Sequence, residues 1–415
     1  MSLFKDAYGD GARISRVRIK NYKSIGYCDV TLGALNILVG RNGSGKSNFL
    51  DAIRFVVDGL QSSLDQAVRV RGGINDVRRR STGHPHNLSI AIELTISEFR
   101  TAEYAFEVAA ESRGAFRVSN EQLRVRDGAG TNLAHYAVSN GKAANGSTDL
   151  LPAVTPDRLF LVAASSLPDF RPVYDALVAI GVYNLNPEAM KEPQTPDAGE
   201  LLHRDGGNIA SVIARLAIER PASIARITDF LKRIVPGIVQ VERIPLGPYE
   251  TLEFRQEVEG AKHPWRFYSK SMSDGTLRAL GALIAIKQFA SPQSRVTMVG
   301  IEEPETALHA AAAGALMNAL SEAAEETQVI VTTHSPDLLE QLDLDRHNML
   351  VAESWKGTTV IAGPDDASMS SIRNHLYSAG ELLRMDQLTP SRKRLKEQHE
   401  DQGFFAFNLP EDSSG

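Results

Sequence analysis

The chain has 415 residues, 42% hydrophobic and 23% charged, which are globular proportions and too many residues for one simple core. A net charge of −6 excludes a polycation, so any nucleic-acid contact needs a local basic patch. The single cysteine, Cys28, excludes a disulfide framework, a cysteine-held iron–sulfur cluster and a CxxC zinc hook, and reads as a small packed residue.

No apolar run approaches the ~20 residues of a membrane helix. Residues 1–6 lack a signal-peptide core, so the expected location is cytoplasmic, with no membrane partner. Residues 14–20 alternate apolar and polar as a half-buried strand does. Residues 30–32 and 35–39 read as further strands, the second running into Gly40. From Lys46, Phe49, Ile53, Val56, Val57 and Leu60 recur at helical spacing. Residues 62–87 are polar and basic. The alternating runs 88–96, 104–109, 115–118 and 122–125 predict antiparallel hairpins. Residues 127–149, rich in Gly, Asn, Ser and Thr, predict a long surface loop.

Helical periodicity at 173–180, 210–217 and 224–234 predicts a helical insertion, with a Pro-rich connector over 187–199. Strand patterning returns at 239–244 and 251–258. Beyond Ser273 the chain alternates helix 276–289, strand 296–301, helix 307–322, strand 328–332 and helix 337–342. That order predicts an α/β fold with a mostly parallel, helix-covered sheet. The expected domains are an N-terminal lobe (1–150), the insertion (151–238), a C-terminal lobe (239–389) and a charged tail (390–415) prone to fraying. No heptad pattern predicts a coiled-coil arm.

Gly40-Arg41-Asn42-Gly43-Ser44-Gly45-Lys46-Ser47 is a complete phosphate-binding loop between a buried strand and an amphipathic helix. Backbone N–H groups from Gly40 to Asn48, with the helix N-terminus, would face phosphates. Lys46 would put a charge between the β- and γ-phosphates of ATP, and Ser47 would offer a hydroxyl to Mg²⁺. An apolar strand then ends in Glu302-Glu303. Glu302 would hold Mg²⁺, and Glu303 would act as general base on the attacking water. Ser273-Asp274-Gly275 precedes a helix; by itself it fits a simple N-cap as well as an anion cradle. His334 follows a strand on the same rim as the loop. Alone it reads equally as a rim histidine bonded to backbone or as a sensor of the γ-phosphate.

Ile19-Lys20-Asn21-Tyr22-Lys23-Ser24 followed by Asn36–Ser47, together with Met272–Thr276, Glu302–Glu305, Thr306–His309 and His334, resembles the ABC-type ATPases of the RecF/SMC/OLD-like group. The resemblance spans about residues 13–355. It implies an ABC-ATPase head: signature at Ser273–Gly275, Walker B at Glu302–Glu303, D-loop at Thr306–His309 and switch histidine at His334. It also implies a homodimer closed head to tail over two ATP molecules, with Ser273 and Gly275 of one copy capping the γ-phosphate on the other's P-loop. Glu302 stands where Asp is usual, and no Q-loop glutamine is identifiable, since Gln61 and Gln66 lie too close to the P-loop. Asp343 and Asp345 form a DxD followed by roughly 70 residues, fewer than the ~100 of a catalytic domain, so no TOPRIM nuclease is expected here.

These features lead to an expected slow ATPase acting as a switch or scaffold for a separately encoded effector such as a TOPRIM-like nuclease, in anti-phage defence. The alternative is a DNA-repair clamp with Arg69, Arg71, Arg78, Arg79, Arg80, Arg392, Lys393, Arg394 and Lys396 on DNA phosphates. A transporter subunit is a third, weaker reading, because the large insertion between P-loop and signature does not suit one.

Overall fold

The computed structural model describes residues 11–80, 87–97, 99–147, 152–155, 157–288 and 296–400. The strands in chain order are β1 (Arg13–Tyr22), β2 (Ile25–Thr31), β3 (Leu35–Val39), β4 (Leu88–Ser97), β5 (Arg100–Ala110), β6 (Phe116–Asp127), β7 (Asn132–Ser139) and β8 (Lys142–Gly146). They continue with β9 (Ile180–Tyr183), β10 (Ile238–Leu246), β11 (Tyr249–Gln256), β12 (Trp265–Tyr268), β13 (Met298–Glu302), β14 (Gln328–Thr333), β15 (His347–Trp355) and β16 (Thr358–Ala362).

Thirteen strands make one sheet in the order β8-β7-β6-β5-β4-β1-β2-β16-β15-β3-β14-β13-β9. The strands β15, β3, β14, β13 and β9 pair in parallel. From β2 through β1 and β4 to β8 the pairing is antiparallel. The expected parallel sheet and hairpin lobe are therefore one hydrogen-bonded surface. Strands β10, β11 and β12 form a separate small sheet.

Two apolar cores lie on opposite faces of the large sheet, and β3 shows why. All five of its residues are buried. Leu38 packs with Phe49 and Leu50 of the helix Lys46–Gln61, whereas Ile37 and Val39 pack with Leu277 and Leu280 of the helix Asp274–Lys287. A period of two sends alternate side chains to each face. The P-loop thus leaves a strand clamped from both sides.

Several sequence expectations change. Residues 127–149 are not a long loop: β7 and β8 form a hairpin across Asn140 and Gly141, whose φ values of 49° and 76° suit an Asn-Gly turn. The turn chemistry was read as loop composition. The helix expected at 173–180 runs Arg171–Val178, and Ile180–Tyr183 instead pairs with β13, so the region taken as an insertion supplies an edge strand. β-Branched Ile180 and Val182 favour that outcome. In the tail, Arg392–Glu400 is a helix, and Gln398 Nε2 donates to Asp29 O (2.6 Å) and Ile361 O (3.1 Å). Residues 401–415 lie outside the described residues. Cys28 is fully buried, as its packed reading requires. Among the described residues no helix is long and apolar enough to cross a membrane.

Candidate functional site

The P-loop joins β3 to the helix Lys46–Gln61 and is held tightly from behind. A Cβ on Gly40 would stand 2.3 Å from Ala352 O, and one on Gly45 would stand 2.0 Å from Thr359 Oγ1. Gly45 also has φ 97°. Both positions therefore exclude a side chain. Thr359 Oγ1 donates to Ser44 O (2.9 Å) and lies 2.7 Å from Ser24 Oγ, which accepts from Asn48 Nδ2 at 2.6 Å. With its proton on Ser44 O, Thr359 must accept from Ser24. This relay ties the N-terminal turn, the loop and β16 together.

Lys46 is buried. Its Nζ donates to Gly40 O (2.8 Å) and Arg41 O (3.1 Å) and lies 3.6 Å from Glu303 Oε1. Burial lowers its pKa, and Glu303 opposes that shift. Arg41 is exposed and pairs with Asp386 at 2.7 Å. Ser44 Oγ is buried with no hydrogen-bond partner.

Glu302 ends β13, two strands from β3. Burial raises its pKa, against hydrogen bonding from Ser47 and the nearby Arg204, whose guanidinium lies 3.6 Å from Glu302 Oε1. The next residue, Glu303, takes φ 44°, a left-handed conformation costing about 1 kcal/mol for a residue with a Cβ. Its N–H donates to Thr332 O at 3.0 Å. Glu303 Oε1 lies 3.1 Å from His334 Nδ1. Lys46, from the helix that follows the P-loop, and His334, just after β14, therefore converge on the carboxylate of Glu303 just after β13.

Glu305 turns inward. Its Oε1 accepts from Thr333 Oγ1, its Oε2 is buried without a partner, and burial raises its pKa. Thr333 O also accepts from Gly40 N at 3.4 Å, so Thr333 links the P-loop to the Walker B turn.

Ser273 caps the helix Asp274–Lys287, accepting from Thr276 N at 3.2 Å. Asp274 pairs with Lys191 at 2.6 Å. Gly275 faces the D-loop, where a Cβ would stand 2.2 Å from Ala307 O. The signature residues thus make their side-chain contacts with their own helix, Lys191 and the D-loop. The residues expected at 307–322 as one helix include this left-handed turn at Ala307 (φ 66°), and the helix proper is Ala313–Ala323.

Reading the motifs missed Thr359, Arg204 and Asn184, which come from distant parts of the chain. Asn184 follows β9 directly and lines the same pocket of about 520 Å³ as Ser47, Asp51, Arg204 and Glu302. Its only sequence signal was a short apolar run ending in Asn.

The residues fit ATP with Mg²⁺. The loop offers a cradle closed to side chains and an unpartnered buried hydroxyl. Among the described residues no cluster of three His, Cys, Asp or Glu is placed to hold a metal. Ser47 and Glu302 could offer two oxygens, which would suit an ion that keeps waters and shares phosphate oxygens.

Residues 180–340 match the family described as "AAA domain, putative AbiEii toxin, Type IV TA system", and residues 13–127 match "AAA ATPase domain". The two matches carry the Walker B and P-loop halves of the site. The chain thus matches AAA-type ATPase families along both parts of the site, and its fold is that of an SMC-type ATPase head. It is 30% identical over 113 residues to the "DNA double-strand break repair Rad50 ATPase" of Thermoplasma volcanium, covering 26% of this chain and only 13% of that protein. An Smc head bound to the C-winged helix domain of ScpA superposes with TM-score 0.52 at 17% identity, covering 84% of this chain and 97% of that one. The Pyrococcus furiosus Smc head with an extended coiled coil, bound to the C-terminal domain of ScpA, gives 0.51 at 14% identity, with coverages of 88% and 99%. At these identities the likeness to the Smc heads is one of fold.

The basic residues at 69–80 differ in their surroundings. Arg71 is buried, pairing with Asp51 (2.9 Å) and Asp58 (2.8 Å) and stacking 5.3 Å from the Phe55 ring centroid. Arg69 pairs with Asp65 and Arg80 with Asp76, each one helical turn away. Arg78 donates to Asn75 and Arg79 to Thr358. In the tail, Arg392 pairs with Glu353.

Proposed function

We propose that the chain binds ATP with Mg²⁺ and hydrolyses it slowly, and that two copies close head to tail over two nucleotides as a switch for a separate effector. The convergence of Lys46 and His334 on Glu303 carries this reading. Gly40–Asn48 would cradle the phosphates with backbone N–H groups, Lys46 turning from the loop carbonyls to the β- and γ-phosphates. Ser47 and Glu302 would hold Mg²⁺, which supplies charge neutralisation at the phosphates. Glu303 would take the proton of the attacking water, and His334, whose Nδ1 lies 3.1 Å from it, would orient that carboxylate and contact the γ-phosphate. Ser273, Asp274 and Gly275 of the second copy would complete the phosphate shell through a helix N-terminus.

The match to the family described as "putative AbiEii toxin, Type IV TA system" favours anti-phage defence as the setting, and a separately encoded effector would be the output. Affinity purification of a Glu303→Gln chain from its native host with Mg-ATP tests this. A stoichiometric effector protein, such as a TOPRIM-like nuclease, supports it; recovery of the ATPase alone contradicts it. The relationship to a Rad50 ATPase favours a second reading, a DNA-repair clamp. Nuclease-sensitive DNA recovered without a protein partner would select that reading.

A further inference from the structure

A cavity of about 750 Å³ lies between the turn after β9, the loop 202–205 and the signature helix Asp274–Lys287. Asn184, Asn186, His203, Arg204, Asp205 and Arg278 line it. Arg204 and Arg278 are among its lining residues, and the Nε of each is enclosed by protein without an acceptor. Arg278 makes no hydrogen bond or ion pair among the described residues, which leaves its guanidinium for an acceptor from the cavity. The one carboxylate among the lining residues is engaged by its own loop, with Asp205 Oδ1 accepting from Gly207 N at 2.9 Å. His203 Nε2 lies 3.4 Å from Asp197. The nucleotide pocket shares Asn184 and Arg204 with this cavity. Arg204 therefore borders both spaces, its terminal nitrogen 3.6 Å from Glu302 Oε1.

We propose that this cavity is an inorganic-phosphate site that receives the phosphate released by hydrolysis, passed between Asn184 and Arg204. Paired guanidiniums match a tetrahedral oxyanion through forked hydrogen bonds, which an ammonium cannot reproduce. No bond is made or broken in the cavity, because the phosphate has already left the nucleotide. Arg278 lies five residues beyond Ser273 on the signature helix, so phosphate held there would also touch the element that faces the second copy.

The product role rests on the hydrolysis reading, and the test separates the two. Full-length Lys46→Ala chain, deprived of its P-loop cation, is titrated with inorganic phosphate by calorimetry, alone and with Arg278→Gln. Saturable binding that Arg278→Gln weakens by about tenfold or more, with Arg278→Lys between, is expected. No saturable binding, or binding indifferent to Arg278→Gln at unchanged melting temperature, overturns the site. In the wild-type background, phosphate added during turnover should inhibit, and Arg278→Gln should relieve that inhibition by about tenfold. Inhibition indifferent to Arg278→Gln overturns the product role. A wild-type chain that neither binds nor hydrolyses ATP removes the proposed function and the product role together, whereas the calorimetry judges the phosphate site independently.

Discussion

Gly275 and Ala307 meet with no room for a side chain: a Cβ on the signature glycine would stand 2.2 Å from the D-loop carbonyl oxygen. The obstacle is backbone, held in a left-handed turn at Ala307, and cannot swing aside. Signature and D-loop are thereby locked as one surface. Gly275→Ala is expected to push the helix Asp274–Lys287 from the D-loop, at a cost of about 1–3 kcal/mol for overpacking. A lowered melting temperature together with loss of any ATP-dependent dimer checks this.

Lys46 and Glu303 should separate binding from turnover. Lys46→Ala is expected to abolish ATP binding in a fluorescence titration. Glu303→Gln should keep binding and slow hydrolysis by about 10²-fold or more, the usual contribution of a general base. A Glu303→Gln chain that hydrolyses at the wild-type rate would remove Glu303 from that role.

The arginines of the 69–80 segment should behave differently from one another. Arg71→Ala leaves the part-buried Asp51 and Asp58 without their shared partner, although Asp51 keeps Lys23, and is expected to cost about 1–3 kcal/mol in denaturant unfolding. Arg80→Ala removes only an exposed pair and should change stability by less than about 1 kcal/mol.

This contrast also measures how far the site was legible. The P-loop, Glu302, Glu303 and His334 could be read because their chemistry is local: adjacent residues in fixed spacing at strand ends. Arg71 resembled its exposed neighbours in the sequence, and only tertiary packing against Asp51, Asp58 and Phe55 distinguishes it. Thr359 was illegible for the same reason. It supports Ser44 from 315 residues away, and no spacing rule connects them. Strand β9 was hidden because four residues are too few for a period to stand out from the helix before it.

Glu121 gives a pH prediction. It is fully buried, accepts hydrogen bonds from Tyr104 Oη (3.1 Å), Tyr136 Oη (2.9 Å) and the backbone N–H groups of Phe160 and Leu161, and burial raises its pKa to about 7. The folded chain thus holds a proton that the unfolded chain releases near the ordinary glutamate pKa of ~4.3. Its contribution to stability is complete below that value and is lost as pH rises through about 7. Relative to Glu121→Gln, the wild-type melting temperature should fall between pH 5 and pH 8. A constant difference across that range would contradict the shift.

The central claim is that ATP closes two copies through the signature of one and the P-loop of the other. The most direct measurement is the mass of Glu303→Gln protein with Mg-ATP, by light scattering on a sizing column, with and without Ser273→Arg. The account predicts a dimer for Glu303→Gln that disappears with Ser273→Arg, while each chain still binds ATP. An ATP-dependent dimer that survives Ser273→Arg would contradict it.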